Sequence, residues 1–377
     1  MKSHSGSLLE VASVFLKLGV VAFGGPAAHV ALMEEEIVNR RKWMDRQHFL
    51  DLMGATNLIP GPNSTEMTMH CGHERAGIPG LFVAGLAFIL PAVIITGIFA
   101  WFYEAYGSLP QVEPFIMGIK PAVIVVIVGA IIKLGKKAVK NWQLGILGTA
   151  VLAASLLGVN EILALLTAGL VGALFFYVKH RPSADLKNLI PLVITPAVST
   201  VAGSLTASTI FWSFLKVGAV LYGSGYVLFA YLDAELVSKG WLTTQQLIDA
   251  VAVGQFTPGP VLSTATFVGY QLNGWSGAMA ATAGIFLPSF LFVWILNPLV
   301  PKMRSSVFLR GFLDSVNVAA VAVMVAVTVS MSTSTLVDWR AWTILAVSLG
   351  LHFGVKRITA MHLVIIGAVL GFGLSLV

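Results

Sequence analysis

The sequence predicts an all-α integral membrane protein made of two inverted repeats, each with about five transmembrane helices plus a re-entrant half-helix pair broken at Pro-Gly-Pro. Three observations predict it. Only 11% of the 377 residues are charged and 57% are hydrophobic, with a mean hydropathy of +0.87, whereas soluble domains carry about 25% charged residues. The chain is written twice, motif by motif. Its lysines and arginines fall mainly in loops that one topology places on a single side.

Taken in order, MKSHSGSLLEVASVFLKLG (1–19) sets Glu10 and Lys17 inside an apolar stretch and has no small-residue cleavage pattern. It reads as the first span, not as a removable signal. FGGP (23–26) interrupts that helix. Next comes NLIPGPNSTEMTMH (57–70), where Pro62 lacks a donor and Pro60 restricts Ile59, so the helix must break between Ile59 and Asn63. The arms on either side run about 14 residues, or ~21 Å, each too short to cross ~30 Å of hydrocarbon alone. Residues 79–103 and 115–132 are long enough to span, and 143–159 and 162–178 suffice if flanking residues snorkel or the bilayer thins locally. In the second half the spans are 276–300, 315–337, 341–355 and 358–377, and the uncharged stretch 188–215 leaves room for a further crossing.

The repetition sets the boundaries. FLKLGVVAFGGP (15–26) returns as FLKVGAVLYGSG (214–225), RQHFLDLMGATNLIPGP (46–62) as TQQLIDAVAVGQFTPGP (244–260), GLFVAGLAFILPAV (80–93) as GAMAATAGIFLPSF (277–290), and IKPAVIVV (119–126) as VNVAAVAV (316–323). Shared greasiness reproduces composition but not Pro-Gly-Pro in register with Trp43/Trp241 and Asp51/Asp249. The expected units are an N-terminal repeat 1–187, a linker 188–206 and a C-terminal repeat 207–377. With a re-entrant pair and the N-terminus outside, one side collects Arg40, Arg41, Lys42, Arg46, Lys133, Lys136, Lys137, Lys140, Lys179, Arg181, Lys187, Lys302, Arg304, Arg310, Lys356 and Arg357. Lys2, Lys239 and Arg340 remain opposite, which is strongly positive-inside. The net charge of +6 is therefore a matter of orientation and does not point to nucleic acid.

Paired interrupted segments in corresponding positions point to a transport site near the midplane, where half-helix N-termini offer partial positive charge and free N–H groups. The candidate anion-binding residues are Pro60, Gly61, Pro62, Asn63, Ser64 and Thr65 in the first repeat, with Thr257, Pro258, Gly259, Pro260 and Ser263 in the second. Gly24, Gly25, Gly223, Ser224 and Gly225 add backbone that a ligand can approach closely. A single Pro-Gly-Pro is more often a kink or packing point; its duplication is what favours a site. Lys17 and Lys216 share one repeat position and either reach a bound anion or snorkel to the surface, and Lys120, matched by Asn317, is a further candidate for recognising the oxyanion through hydrogen bonds. Glu66 and His70, at i and i+4, share one helical face and have Thr264 and Val268 as their counterparts in the second copy. They either bind a proton coupled to anion movement or form a buried structural hydrogen bond.

Other chemistry is missing from the pattern. There is no Walker loop, dinucleotide fingerprint, HExxH or GxSxG, His4 and His29 stand singly, and the lone Cys71 allows neither an intrachain disulfide nor a cysteine metal cluster. No catalytic residue, metal or cofactor is expected.

FGGPAAHVALMEEEIV (23–38), FLDLMGATNLIPGPNSTEM (49–67), GLAFILPA (85–92) and FTPGP (256–260) resemble the chromate ion transporter family, the two-repeat type, over nearly the whole chain. The resemblance implies export of chromate, a tetrahedral dianion, from a bacterial cytoplasmic membrane, and hence chromate resistance. YGSG lacks the proline of FGGP, so the two halves are not equivalent walls of a site. The leading expectation is a secondary oxyanion transporter working by alternating access. Its rivals are a passive oxyanion channel, a sulfate-type transporter and an intramembrane enzyme acting on a lipid headgroup. The expected partners are the oxyanion and the lipid bilayer, with the oligomeric state, a homodimer included, left open.

Overall fold

The computed structural model describes residues 7–23, 26–56, 59–107, 109–180, 205–222, 225–296, 306–355 and 358–376. These are helical throughout, with no strand among them. The first repeat contains α1 (Leu8–Val21), α2 (Pro26–Met33, continued by a π-helical turn Glu34–Arg40), α3 (Arg46–Thr56), α4 (Asn63–Tyr106), α5 (Glu113–Ala138), α6 (Trp142–Leu156) and α7 (Glu161–His180). The second contains α8 (Ala207–Val220), α9 (Leu228–Leu232, preceded by a short 3-10 turn and followed by a π-helical Asp233–Val237), α10 (Thr244–Phe256), α11 (Thr264–Leu296), α12 (Val307–Thr335), α13 (Trp339–Gly354) and α14 (Ala360–Ser375). Among the described residues five helices are long and apolar enough to cross a membrane.

Helix α4 has 44 residues, about 66 Å at 1.5 Å per residue, far more than one crossing needs. Its helical dihedrals fail at Ala76 and at Gly77 (φ 65°, ψ −155°). That left-handed glycine reverses the chain, and Gly72 and Gly80 then pack so closely that a side chain on either would strike the other's carbonyl. The second repeat repeats the device, with Gly274 at φ 55° and Gly269 against Gly277. Each of these helices is therefore a half-helix followed by a full-length arm.

The ends of the half-helices meet on one face. Glu10, near the start of α1, accepts from Arg41 at 3.2 Å, from Arg75 at 2.8 Å and from Trp43 at 3.3 Å, while His48 at the start of α3 lies 3.1 Å from Glu74. Both α1–α2 and α3 with the first arm of α4 thus go in and return. This corrects the expectation that the N-terminal stretch is the first span: α1 and α2 run in and back as a first hairpin, and the N-terminal helix begins on the same face as Arg41 and Arg75, not opposite them. Among the described residues the long apolar crossings of the first repeat are the second arm of α4, α5 and α7, with the 15-residue α6 leading the chain back between the last two, so the N-terminal helix is not one of the crossings. What turns it back is that α2 starts afresh at a proline, a good first helical residue, and Glu10 is held to Arg41 and Arg75.

The two repeats are inverted. The long arm of α4 runs away from the Arg75 face, and α11 runs antiparallel to it. Phe82 stacks on Phe290 at 5.6 Å and meets Trp294 at 6.5 Å, whereas Gly97 lies under the Trp275 ring. The second repeat's half-helices consequently begin on the opposite face. There, Tyr103 Oη donates to Asp249 at 2.6 Å and Lys120 Nζ lies 3.5 Å from the same carboxylate. The α5–α6 loop, with Lys140 bound to Asp314 at 2.6 Å, and the end of α7, where Tyr177 meets Phe308, return to the Arg75 face, so the described basic loops cluster there as expected. Helix α7 ends on that face and α8 starts on the other. Residues 181–204, with most of the proposed linker, lie outside the described residues, as do Lys2, Lys302, Arg304, Lys356 and Arg357.

Candidate functional site

The proline brackets do locally what their chemistry requires. Pro60 and Pro62 stop α3, and Pro62 opens α4 with its carbonyl accepting from Thr65 and Glu66 N–H at 2.8 and 3.0 Å. Gly61 takes φ 140° and Gly259 φ 85°, backbone that a residue with a Cβ adopts only under strain. In the second copy, Pro260 opens a short 3-10 turn, with Ser263 N–H donating to its carbonyl at 2.9 Å, before α11 begins.

These turns meet across the repeats. Gly61 N–H donates to Leu221 carbonyl at 2.6 Å, and Gly259 N–H donates to Ala22 carbonyl at 2.9 Å. Gly61 and Gly259 are repeat equivalents, and so are Ala22 and Leu221. The two bonds are therefore images of each other under the pseudo-twofold axis. Each Pro-Gly-Pro tip is tied to the tip of the other repeat's first hairpin, which brings four helix breaks to one centre. Ile59, Pro60, Gly61, Pro62, Thr257, Pro258, Gly259 and Pro260 are all buried.

Side chains complete the centre unequally. His29, 1% exposed, bridges two hairpins: its Nε2 lies 3.1 Å from Ala22 carbonyl and its Nδ1 3.2 Å from Ser64 Oγ. The carbonyl can only accept, so Nε2 carries the proton there and Nδ1 accepts from Ser64 in the neutral ring. Ser263 Oγ pairs with Thr96 at 3.2 Å, again across repeats. Thr65 Oγ1, both Glu66 carboxylate oxygens and Ser289 Oγ are buried with no hydrogen-bond partner among the described residues. Glu66 Oε1 and Ser289 Oγ flank Gly61 so tightly that a Cβ there would overlap both. At the equivalent Gly259 the neighbour is Ala92 Cβ, the repeat counterpart of Ser289. His70 is buried one turn beyond Glu66.

The structure separates the predicted residues into groups. Pro60, Gly61, Pro62, Ser64, Thr65, Glu66, Thr257, Pro258, Gly259, Pro260 and Ser263 gather at the centre, with Asn63 half-buried beside them and Gly225 against Val261. Gly24, Gly25, Gly223 and Ser224 lie outside the described residues. The lysines behave differently: Lys17 pairs with Glu36 at 4.0 Å, Lys216 with Glu235 at 2.7 Å and Lys120 with Asp249. Lys17 and Lys216 make the same bond in each repeat, to equivalent glutamates, so their recorded partners are carboxylates near the faces and not the central turns.

Sequence reasoning passed over His29, Ser289 and Tyr103. A signal existed for the first two, since His29 aligns with Leu228 and Ser289 with Ala92, and a polar residue in only one copy of a buried repeat position marks an asymmetry. Tyr103 carried none, because its partner Asp249 is distant in sequence.

A family model described as "Chromate transporter" matches residues 9–173 and again 208–372, one match to each inverted unit. This chain belongs to the chromate transporter family. It is similar to a probable chromate transport protein of Synechococcus elongatus, 30% identical over 97% of this chain and 95% of the relative. The chromate transport proteins of Pseudomonas aeruginosa and Cupriavidus metallidurans are 31% and 28% identical, over 84% and 97% of this chain and 79% and 92% of theirs. No solved structure matches the chain. This chromate transporter family member is a multi-pass helical membrane protein and not an enzyme.

Proposed function

We propose that the protein is a secondary transporter that exports an oxyanion, chromate first among them, across a bacterial cytoplasmic membrane by exposing the central site alternately to the two faces. The observation that carries this reading is the pair of symmetric bonds, Gly61 to Leu221 and Gly259 to Ala22. They gather two half-helix N-termini, each carrying partial positive charge, at one buried centre. An anion is the natural guest of such ends, and the names of the relatives supply chromate. The basic face is taken as cytoplasmic.

Energetically, export of a dianion runs with the inside-negative potential. About 2.3 kcal/mol per charge per 100 mV gives ~4.6 kcal/mol for two charges, over a thousandfold in concentration at equilibrium, without ATP. Rocking of one repeat against the other around the fixed centre would break one of the two symmetric bonds at a time.

The test is purified protein in liposomes. Labelled chromate should enter against excess unlabelled chromate inside, since a carrier exchanges substrate for substrate. Flux that dissipates with the gradient and shows no exchange would favour a channel, and absence of any oxyanion flux would end the proposal.

A further inference from the structure

The two Pro-Gly-Pro turns are geometric images but not chemical ones. The Gly259 turn has Thr264 and Ala92 where the Gly61 turn has Glu66 and Ser289. Both of the latter are 0% exposed, both have orphaned oxygens, and both aim at Gly61 from opposite repeats. An ionised carboxylate so placed would be buried without a counter-charge and beside the very position where an anion is drawn by the helix ends. The titratable groups around it are Tyr222, from the second repeat's first turn and close enough to interact electrostatically, His70 one turn along the same helix, and His29 through Ser64. Among the described residues no lysine or arginine forms an ion pair with it.

We propose that Glu66 and Ser289 form a proton site shared between the repeats, and that the proton on Glu66 is bound together with the oxyanion and travels in the same direction. The inference rests on the oxyanion reading above and adds the sign of coupling; the proton cancels one of the guest's two charges, so 100 mV then drives export about fiftyfold, not over a thousandfold as for the bare dianion. A proton on Glu66 removes a negative charge from beside the guest, so the two ligands bind cooperatively. Anion and proton that favour each other's binding move together, not in exchange. With the anion gone and the centre opened to water, the carboxyl releases its proton to the face it then meets. Ser289 positions the carboxyl: its hydroxyl, supplied by the crossing helix of the other repeat, accepts from the protonated acid or donates to the carboxylate as the repeats shift. Glu66 lies in one repeat and Ser289 in the other, so a rocking motion must remake that contact in every cycle.

The experiment uses full-length protein in liposomes with chromate, across the alkaline range in which chromate stays a dianion, reading the dissociation constant against pH and the lumenal pH during flux. For one linked proton the wild-type constant should weaken about tenfold per pH unit once the free Glu66 is ionised, and protons should follow chromate across the membrane. Glu66→Gln should bind chromate with a constant that no longer depends on pH and move it without a proton. Ser289→Ala, which copies the Ala92 side, should keep the slope and displace its midpoint. A pH-independent constant in the wild type, protons moving opposite to chromate, or an unchanged slope in Glu66→Gln would overturn the proposal. If Glu66→Gln does not fold, the wild-type slope and proton direction decide alone. A wild type that moves chromate with no proton linkage leaves the function standing and removes only this inference, whereas one that moves no chromate removes both.

Discussion

Gly259→Ala tests the tie between the repeats quantitatively, because Gly158 supplies a matched control. Both glycines sit at φ 85°, so a Cβ at either costs about 1–2 kcal/mol in backbone strain. At Gly158 the added carbon meets nothing within 4 Å, whereas at Gly259 it would lie 2.9 Å from Ala92 Cβ and 3.3 Å from Gly19 carbonyl oxygen. Ordinary carbon contacts are ~3.5–4.0 Å, and forcing a methyl into a packed interior costs about 1–3 kcal/mol more. Gly259→Ala should therefore destabilise by about 2–5 kcal/mol and Gly158→Ala by only the backbone part. Ala92→Gly opens the space at about 1 kcal/mol for a helical glycine, so the double variant should recover about 1–3 kcal/mol as coupling. Thermal unfolding in detergent, followed by tryptophan fluorescence, gives the order: wild type above Gly158→Ala, Gly158→Ala above Gly259→Ala, with the loss from Gly259→Ala smaller in an Ala92→Gly background than in the wild type. Equal losses at the two glycines, or the same Gly259→Ala loss in both backgrounds, would show that this turn does not rest on the other repeat.

Other outcomes follow from the same geometry. His29→Ala removes two buried hydrogen bonds and leaves Ser64 Oγ without its ring partner, an expected loss of about 1–3 kcal/mol, read as a lower melting temperature; Leu228→Ala at the equivalent position should act only through lost packing. Asp249→Asn should loosen Lys120 and Tyr103 on the face opposite the basic one, raising labelling of a cysteine placed at Gln255 by a thiol reagent added from that face; unchanged labelling would show the cluster does not hold that side closed. With Cys71 replaced by alanine, cysteines at Ser7 and Lys42 should react with a membrane-impermeant maleimide from one side and a cysteine at Lys239 from the other. Opposite-side labelling of Ser7 and Lys42 would restore the continuous first span. Pro60→Ala with Pro62→Ala should leave protein in the membrane and reduce chromate flux at least tenfold, about 1.4 kcal/mol in transition-state terms.

The architecture was legible where chemistry is local and duplicated. Prolines cannot sit in mid-helix without consequence, so Pro60, Pro62, Pro258 and Pro260 declared their turns. The register of the two copies tied Gly61 to Gly259, and apolar length found the crossing arms. The reversal of α2 against α1 was not legible, because the glycines of FGGP permit a kink, a bulge or a reversal alike. What decides is the tertiary bond from Glu10 to Arg41 and Arg75. Lys17 and Lys216 illustrate the same limit: their matched positions were visible, but a lysine that binds an anion and one that pairs with a glutamate look alike until Glu36 and Glu235 are brought beside them. In the sequence His29 stands as a lone histidine because its partners, a backbone carbonyl and a serine in another helix, leave no spacing pattern. Glu66 was legible as an ionisable group in an apolar segment; that Ser289 faces it from the other repeat required the inverted packing of α4 against α11.

The most direct test is an experimental density map of the protein in a lipid disc with molybdate bound, a heavy tetrahedral dianion. The geometry predicts a strong peak between residues 60–65 and residues 257–263, with Gly61 still near Leu221 or Gly259 still near Ala22. Density elsewhere, or the two proline turns lying far apart on separate faces, would contradict it.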